Sequence, residues 1–338
     1  MAIRVGLMGF GRIGRNLFRI LYKREDVEIV AISDIADHLG LEYLLKYDTI
    51  MGRFPETVSV KNGFLYVRGK QIKMLSGREP GDVKWGELGV DVVVEATARY
   101  RSRSDLSRHL DAGAQKVILC VPPIDSPDIT VVMGVNHHEL KAEHQIISNG
   151  SITAHCAAPI LQILDGAFGL ERVFFTTIHA YTNDQRLADV PADDLRRSRA
   201  ASENIIPTDT NAGQVIMDLL PQLKGRVQGM ALKVPVPNGS LVDMVSFTRK
   251  PVSSEAVNEV VRTAVESLYN EYVDYAVDPI VSSDVKHSPY SCTFDSLATL
   301  SPSEHVVKTL AWYDNGWGYA HRVVDLIKYQ AEMSGGAV

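Results

Sequence analysis

Cys120, Cys156 and Cys292 are the only three cysteines in 338 residues. They are odd in number, far apart and without a CxxC pair, so they form neither a disulfide framework nor a zinc site. Reduced thiols in a cytoplasmic protein are the expectation, with no metal. There is no charged leader followed by a long apolar run; Met1-Ala2-Ile3-Arg4-Val5-Gly6 leads straight into a β-prone segment. Neither a signal peptide nor a membrane span is expected. Positive charge is not in excess, since 35 Lys and Arg stand against 41 Asp and Glu for a net of −6, which argues against nucleic acid as the main partner. No internal repeat or low-complexity linker is visible. What remains is an ordinary globular composition, 45% hydrophobic, in a chain long enough for about two domains.

The first half alternates strands and helices. A β-prone run at 3–8 is followed at once by Gly9-Phe10-Gly11-Arg12-Ile13-Gly14-Arg15 and a helical pattern over 16–23. This is the strand, glycine turn and helix of a dinucleotide-binding unit. Its glycines allow a tight turn, close approach to a pyrophosphate and close helix packing, while the helix N-terminus favours phosphate. A second strand, 28–33, ends in Asp34, which can accept both ribose hydroxyls and would repel a 2′-phosphate. NAD is therefore predicted over NADP. Asn62-Gly63 predicts a hairpin across 58–67. The run 90–95 is apolar on both faces, as a buried parallel strand should be, and leads into Ala96-Thr97-Ala98-Arg99-Tyr100. A helix over 104–112, a strand over 116–121 carrying Cys120, a strand over 129–133 and a strand over 145–149 complete a doubly wound parallel sheet.

The second half is different. It is β-rich over 171–180, irregular and charged over 183–206, and β again over 228–235, 241–250 and 306–314. An amphipathic helix is expected over 253–269 and a closing helix from His321. Long antiparallel runs carrying a few helices predict an α+β domain.

Between the halves lies Ser148-Asn149-Gly150-Ser151-Ile152-Thr153-Ala154-His155-Cys156. Ser148 to Ser151 is turn chemistry, Ser151 is a candidate N-cap, and 152–164 repeats apolar residues at helical spacing. A helix N-terminus there suits an anion or a thiolate. The stretch resembles the Ser-Asn-Ala-Ser-Cys-Thr-Thr-Asn-Cys signature of the phosphorylating glyceraldehyde-3-phosphate dehydrogenases. Thr176-Thr177-Ile178-His179-Ala180-Tyr181-Thr182-Asn183-Asp184-Gln185, Arg196-Arg197-Ser198-Arg199-Ala200-Ala201, Asn204-Ile205-Ile206-Pro207-Thr208 and Trp312-Tyr313-Asp314-Asn315 extend the likeness over almost the whole chain. The resemblance implies a Rossmann-type NAD domain over 1–150, a catalytic α+β domain over 151–316 with a long S-loop over 182–206, and a C-terminal helix over 317–338 packing back on the first domain. It also implies a homotetramer, because in that family the S-loop crosses a subunit interface.

Residue by residue, the resemblance assigns cofactor contacts to Gly9, Phe10, Gly11, Arg12, Ile13, Gly14, Asp34, Arg78, Thr97, Cys120 and Asn315. It assigns phosphate recognition to Ser151, Thr153 and Thr210 for inorganic phosphate, and to Thr182 and Lys233 for the substrate's own phosphate. His179 matches the catalytic histidine. The nucleophilic cysteine of the signature corresponds to Ile152, which has neither proton nor lone pair and cannot form a thioester. Ala154, His155, Asn211 and Gly316 are further departures, as are Met8 and Ala98. Lys233 stands where the family has arginine, keeping the charge and losing the bidentate fork.

Cys156 lies one helical turn beyond Ile152, about 5–6 Å further in. That is too far for the same substrate pose, and a core role fits it better. Cys120 reads either as apolar filler or as a thiol at the cofactor. His179 reads as a base acting on an alcohol or hydrated aldehyde, or as a relic bonded within its domain. Two functions stay open. One is an NAD-dependent oxidoreductase moving hydride without covalent catalysis on a small, anionic or phosphorylated carbonyl compound. The other is a non-catalytic NAD-binding homologue with a regulatory or structural role.

Overall fold

The first apolar run becomes the strand Ile3–Met8, buried over its last four residues, in a computed structural model that describes residues 2–333 and 335. It lies inside a nine-stranded sheet. The strands Val27–Ser33 and Val92–Glu95 flank it, both parallel to it. Beyond Val92–Glu95 come Lys116–Leu119, Ile146–Ser148 and Ile129–Thr130, all parallel. On the other side Lys70–Leu75 is parallel, and the hairpin Val58–Lys61 and Phe64–Val67 completes the sheet in antiparallel sense. Asn62 and Gly63 turn that hairpin at φ 51° and 76°, the left-handed pair a tight hairpin requires.

The contacts divide the chain into two compact units. One holds Met1–Val131, Asn136–Gly150 and Ala320–Val338; the other holds Val132–Val135 and Ser151–Tyr319. Met1, Ser334 and residues 336–338, the ends of the expected outer segments, lie outside the described residues. In the first unit, the closing helix is anchored by Lys328, whose Nζ lies 3.7 Å from the Asp26 carboxylate. Tyr329 packs edge-on against His137 at 5.3 Å between ring centroids.

The second unit has a seven-stranded mixed sheet built on Leu170–Ala180, Val227–Val234, Ser240–Thr248, Cys292–Ser303 and Val306–Tyr313. Antiparallel pairs dominate, with Leu170–Ala180 parallel to Val227–Val234. One face carries the core, where the helix Ile152–Phe168 contributes Ala154, Cys156, Ala157, Ile160, Leu161 and Leu164. That helix is buried without a break from Thr153 to Leu161.

Several boundaries differ from expectation. The helix Ser254–Ala264 ends earlier and passes into a wider π-type turn, Val265–Tyr269. The expected strand over 129–133 pairs only at Ile129–Thr130. The closing helix starts at Trp317 rather than His321, because Asp314 Oδ1 accepts the amides of Gly316 at 2.8 Å and Trp317 at 2.6 Å and so caps it. Gly318 falls inside that helix. Here it is demanded by packing, since a Cβ would run into the Tyr290 carbonyl.

Candidate functional site

In the first unit the nucleotide chemistry is mostly main chain. Gly9 takes φ +98°, and a side chain there would lie 2.9 Å from both Ala96 C and Thr97 N. Gly14 lets the helix start against the Gly9 carbonyl, which a Cβ would strike, whereas a Cβ on Gly11 would meet nothing within 4 Å. Gly11 therefore leaves an open approach to the backbone. It also sits at the N-cap of the helix Arg12–Leu21 with no side-chain cap bond and no acid in the first turn. The first-turn donors beside Phe10, Arg12 and Ile13 are thus placed for a pyrophosphate.

Asp34 closes this cradle. Its Oδ2 accepts the Phe10 amide at 2.7 Å and its Oδ1 accepts the Ala36 amide at 2.9 Å. A carboxylate offers about four acceptor positions, so two remain for a ribose diol. These features fit NAD. Arg78 is exposed; its amide donates to Asp82 at 2.9 Å and its carbonyl accepts the Tyr100 hydroxyl at 2.6 Å. Thr97 is tied to Glu95 through both its amide and its hydroxyl. Cys120 is 5% exposed, and burial, followed by the negative charge of Glu95, pushes its thiol well up. That environment suits filler rather than a reactive thiolate.

In the second unit the chemistry is made of side chains. His179 and Lys233 stand directly opposite each other on parallel strands, so they share a face. Lys233 Nζ lies 3.1 Å from His179 Nδ1 and donates to Thr182 Oγ1 at 3.2 Å. The amide nitrogen of Asn315 lies 3.3 Å from the same Nδ1. The shortest neighbour of Nδ1 is the Ala180 carbonyl at 2.6 Å. A carbonyl can only accept, so that contact outweighs the two longer donor approaches; it puts the ring proton on Nδ1 and leaves Nε2 with its lone pair. Asn315 cannot flip, because its Oδ1 accepts from Gly239 N and Ser240 Oγ, both at 3.0 Å.

The head of the helix Ile152–Phe168 supplies a second group. Ser151 occupies the N-cap position with extended backbone, as expected, but its side chain makes no cap bond and the first turn carries no acid. Ile152 is partly buried against the core. The Thr153 hydroxyl lies 3.2 Å from the Tyr313 hydroxyl, which also lies 2.9 Å from Thr177 Oγ1. Burial pushes the Tyr313 phenol up to about 12. His155 is buried and meets the Tyr319 ring edge-on at 5.5 Å. Cys156 is fully buried and points at the Ala311 carbonyl, 3.5 Å away. Its thiol is pushed well above the ordinary value by burial and then by the neighbouring Cys292 thiol.

His179, Thr182, Lys233 and Asn315 are thus brought within 3.1 to 3.3 Å of one another around His179 Nδ1 and Thr182 Oγ1, and Thr153 joins Tyr313. Thr210 is used locally, accepting the Ala212 amide at 3.2 Å ahead of the helix Ala212–Leu219. Residue patterns alone assign no role to Tyr313, Thr177, Ser240 or Asp184. Tyr313 lies within one of the motifs quoted above, but only strand pairing shows that its hydroxyl meets those of Thr153 and Thr177. Asp184 accepts the Thr182 hydroxyl. Among the described residues no group of three or more His, Cys, Asp or Glu could hold a metal ion, and no helix is long and apolar enough to cross a membrane.

Comparison with known proteins matches residues 3–103 to the NAD-binding domain of glyceraldehyde 3-phosphate dehydrogenase and residues 151–315 to its C-terminal domain. The chain is 47% identical over 332 residues to a glyceraldehyde-3-phosphate dehydrogenase of Geobacillus stearothermophilus, covering 98% of this chain and 99% of that one. It is 49% identical over 329 residues to the enzyme of Streptomyces coelicolor, covering 96% and 98%.

Proposed function

The chain belongs to the glyceraldehyde-3-phosphate dehydrogenase family as an NAD-binding dehydrogenase, and we propose that within it the chain moves hydride between NAD and a small anionic carbonyl compound without a covalent intermediate. The observation that carries this is the contrast at the substrate side. Ile152 heads the helix where the family signature has its thiol, while His179, Thr182, Lys233 and Asn315 lie together. Isoleucine cannot attack a carbonyl, and Cys156 one turn on is buried with its thiol pushed up, so acyl-enzyme chemistry has no nucleophile here.

When bound, NAD supplies the hydride acceptor. The protein's own residues do the rest. His179 Nε2 takes the proton from an alcohol or hydrated aldehyde. Lys233 and Thr182 hold an anionic group, and Ser151, Thr153 and Thr210 offer hydroxyls near helix N-termini. Asn315 is held rigid by Ser240 and Gly239 to orient the nicotinamide amide. A non-catalytic NAD-binding role is favoured by one feature: Lys233 already satisfies itself on Thr182 and beside His179. A spectrophotometric screen for NADH formation or consumption across phosphorylated and unphosphorylated aldehydes, acids and alcohols separates the two. Turnover that is lost in His179→Asn supports the enzyme; NAD binding with no turnover on any of them supports the other reading.

Self-association as a homotetramer, in the cytoplasm, goes with this reading. It is supported by large apolar side chains left in water: Leu187 at 85% and Leu195 at 81% in the S-loop, and Phe174, Met230 and Phe247 on the open face of the second sheet. Phe174 and Phe247 meet edge-on at 6.2 Å between ring centroids, and contiguous apolar surface is what contact surfaces present. Sedimentation as a monomer at micromolar concentration would refute it.

A further inference from the structure

The strand Val92–Glu95 is buried at every position, and it ends in a carboxylate. A buried carboxylate costs several kcal/mol unless its oxygens are paired and hydrogen-bonded, so the partners of Glu95 are informative. Its Oε1 accepts the Thr97 amide at 2.9 Å and also the Thr97 hydroxyl. Its Oε2 lies 3.2 Å from Nε2 of His109, on the helix Arg103–Asp111. His109 Nδ1 in turn lies 3.0 Å from Nε1 of Trp85. Glu95, His109 and Trp85 are all 0% exposed.

The direction of this chain is forced. An indole nitrogen can only donate, so His109 Nδ1 must accept. The ring proton then sits on Nε2 and is given to Glu95, while Thr97 donates to Glu95 from the other side. Having given its proton away, the Thr97 hydroxyl accepts the Arg99 amide at 3.2 Å. Between Thr97 and Arg99, Ala98 is held at φ +61°, a left-handed conformation that costs a non-glycine residue about 1–2 kcal/mol. The turn is thus held against its local preference from inside the protein.

Its position gives the chain a purpose. Met8 pairs with Glu95 across neighbouring parallel strands, and the strand order departs in opposite directions on either side of that pair. This is the topological switch point, where dinucleotides lie in such sheets. The glycine turn after Met8 and the turn over 96–99 are its two walls, and they touch where Gly9 meets Ala96 and Thr97.

We propose that Trp85, His109 and Glu95 are positioning residues for NAD, setting the turn over 96–99 against the glycine turn and so fixing the crevice without touching the cofactor. The test uses the full-length protein and NAD binding by calorimetry. His109→Leu removes both the acceptor and the donor, whereas His109→Gln restores one of each on a planar amide. The Leu variant should bind NAD about tenfold or more weakly, and the Gln variant within about threefold of the parent. A purely structural role would lower the melting temperature of the Leu variant and leave its NAD affinity unchanged once folded, and that outcome overturns the proposal. Should the Leu variant not fold, Trp85→Phe decides: by freeing the His109 tautomer it should weaken NAD several-fold, and unchanged affinity overturns the idea. Nitrogen NMR of histidine-labelled parent protein gives an independent reading. A His109 proton on Nε2 is required, and one on Nδ1 would refute the donor order.

Discussion

The two units hold their functional groups in different ways. In the first, the work falls on backbone: a glycine with positive φ, an open glycine, an uncapped helix start and a single carboxylate within 24 residues of the turn it braces. In the second, it falls on side chains drawn from distant strands. Lys233 and Asn315 approach His179 from 54 and 136 residues away. A backbone site constrains the residues beside it only through the room they leave, as at Gly9, where a side chain would meet Ala96 and Thr97. In a side-chain site each donor or acceptor atom comes from one residue, as with Lys233 Nζ on Thr182. Under the proposed reading, the residues Ile152, Ala154, His155 and Lys233 bear directly on the chemistry.

The comparison is most sharply tested at Ile152. Pure protein given glyceraldehyde 3-phosphate, NAD and inorganic phosphate should form no acyl phosphate, and Ile152→Cys should restore a trace at most, because residues of one site act as a unit. Phosphate-dependent NADH formation by the parent protein would break the reading.

A smaller effect separates the two halves by pH. Burial raises the Tyr313 phenol from 10.0 to about 12. The folded state then keeps a proton that the unfolded chain loses, so this contribution is intact below about pH 10 and is lost as pH rises toward about 12. A rise of that size is worth at most about 3 kcal/mol. In the first unit, burial and then the charges of Arg322 and Arg24 depress His321 to about 4. Here the unfolded chain takes up the proton first, so stability is intact above about pH 6.5 and falls as pH drops toward about 4. Denaturant titrations of Tyr313→Phe and His321→Gln should show the alkaline and the acid slope flattened respectively. A Tyr313→Phe protein with an unchanged alkaline slope would remove the contrast.

Asp34→Ala should narrow the preference for NAD over NADP by about tenfold, since the repulsion of a 2′-phosphate is lost with the ribose acceptor. Equal affinity of the parent for both cofactors would count against the backbone description of the first unit. The smallest effect is at Ala98, where φ is +61°. Ala98→Gly relieves the left-handed strain and should stabilise the protein by about 1 kcal/mol, unless the turn relaxes when Glu95 is also changed; the Glu95→Gln/Ala98→Gly pair in a denaturation cycle measures that coupling.

Legibility follows the same division. The glycine turn, Asp34, the Asn62-Gly63 hairpin and the order of alternating strands are readable because each is local: a short segment carries the whole signal. The helix after Ser151 is readable from its periodicity, yet its missing cap bond is not. The early start of the closing helix is hidden because Asp314 caps it through geometry that sequence shows only as an acid near two glycines. The Glu95, His109 and Trp85 chain is invisible, since three polar residues on a strand, a helix and a short turn have no common spacing. Tyr313 sits in a motif that the sequence does display, but its hydroxyl finds Thr153 and Thr177 only through the sheet.

By itself the sequence determined the family, the doubly wound sheet, the NAD cradle and the absence of a thiol at residue 152, because these depend on residue type and near-neighbour spacing. The tertiary structure alone decided that His179, Lys233, Thr182 and Asn315 meet, that Cys120 and Cys156 are buried, and that a buried histidine joins Trp85 to Glu95. Those outcomes depend on which strands pair and which faces are buried, and long-range pairing is set by the whole fold rather than by any segment of the chain.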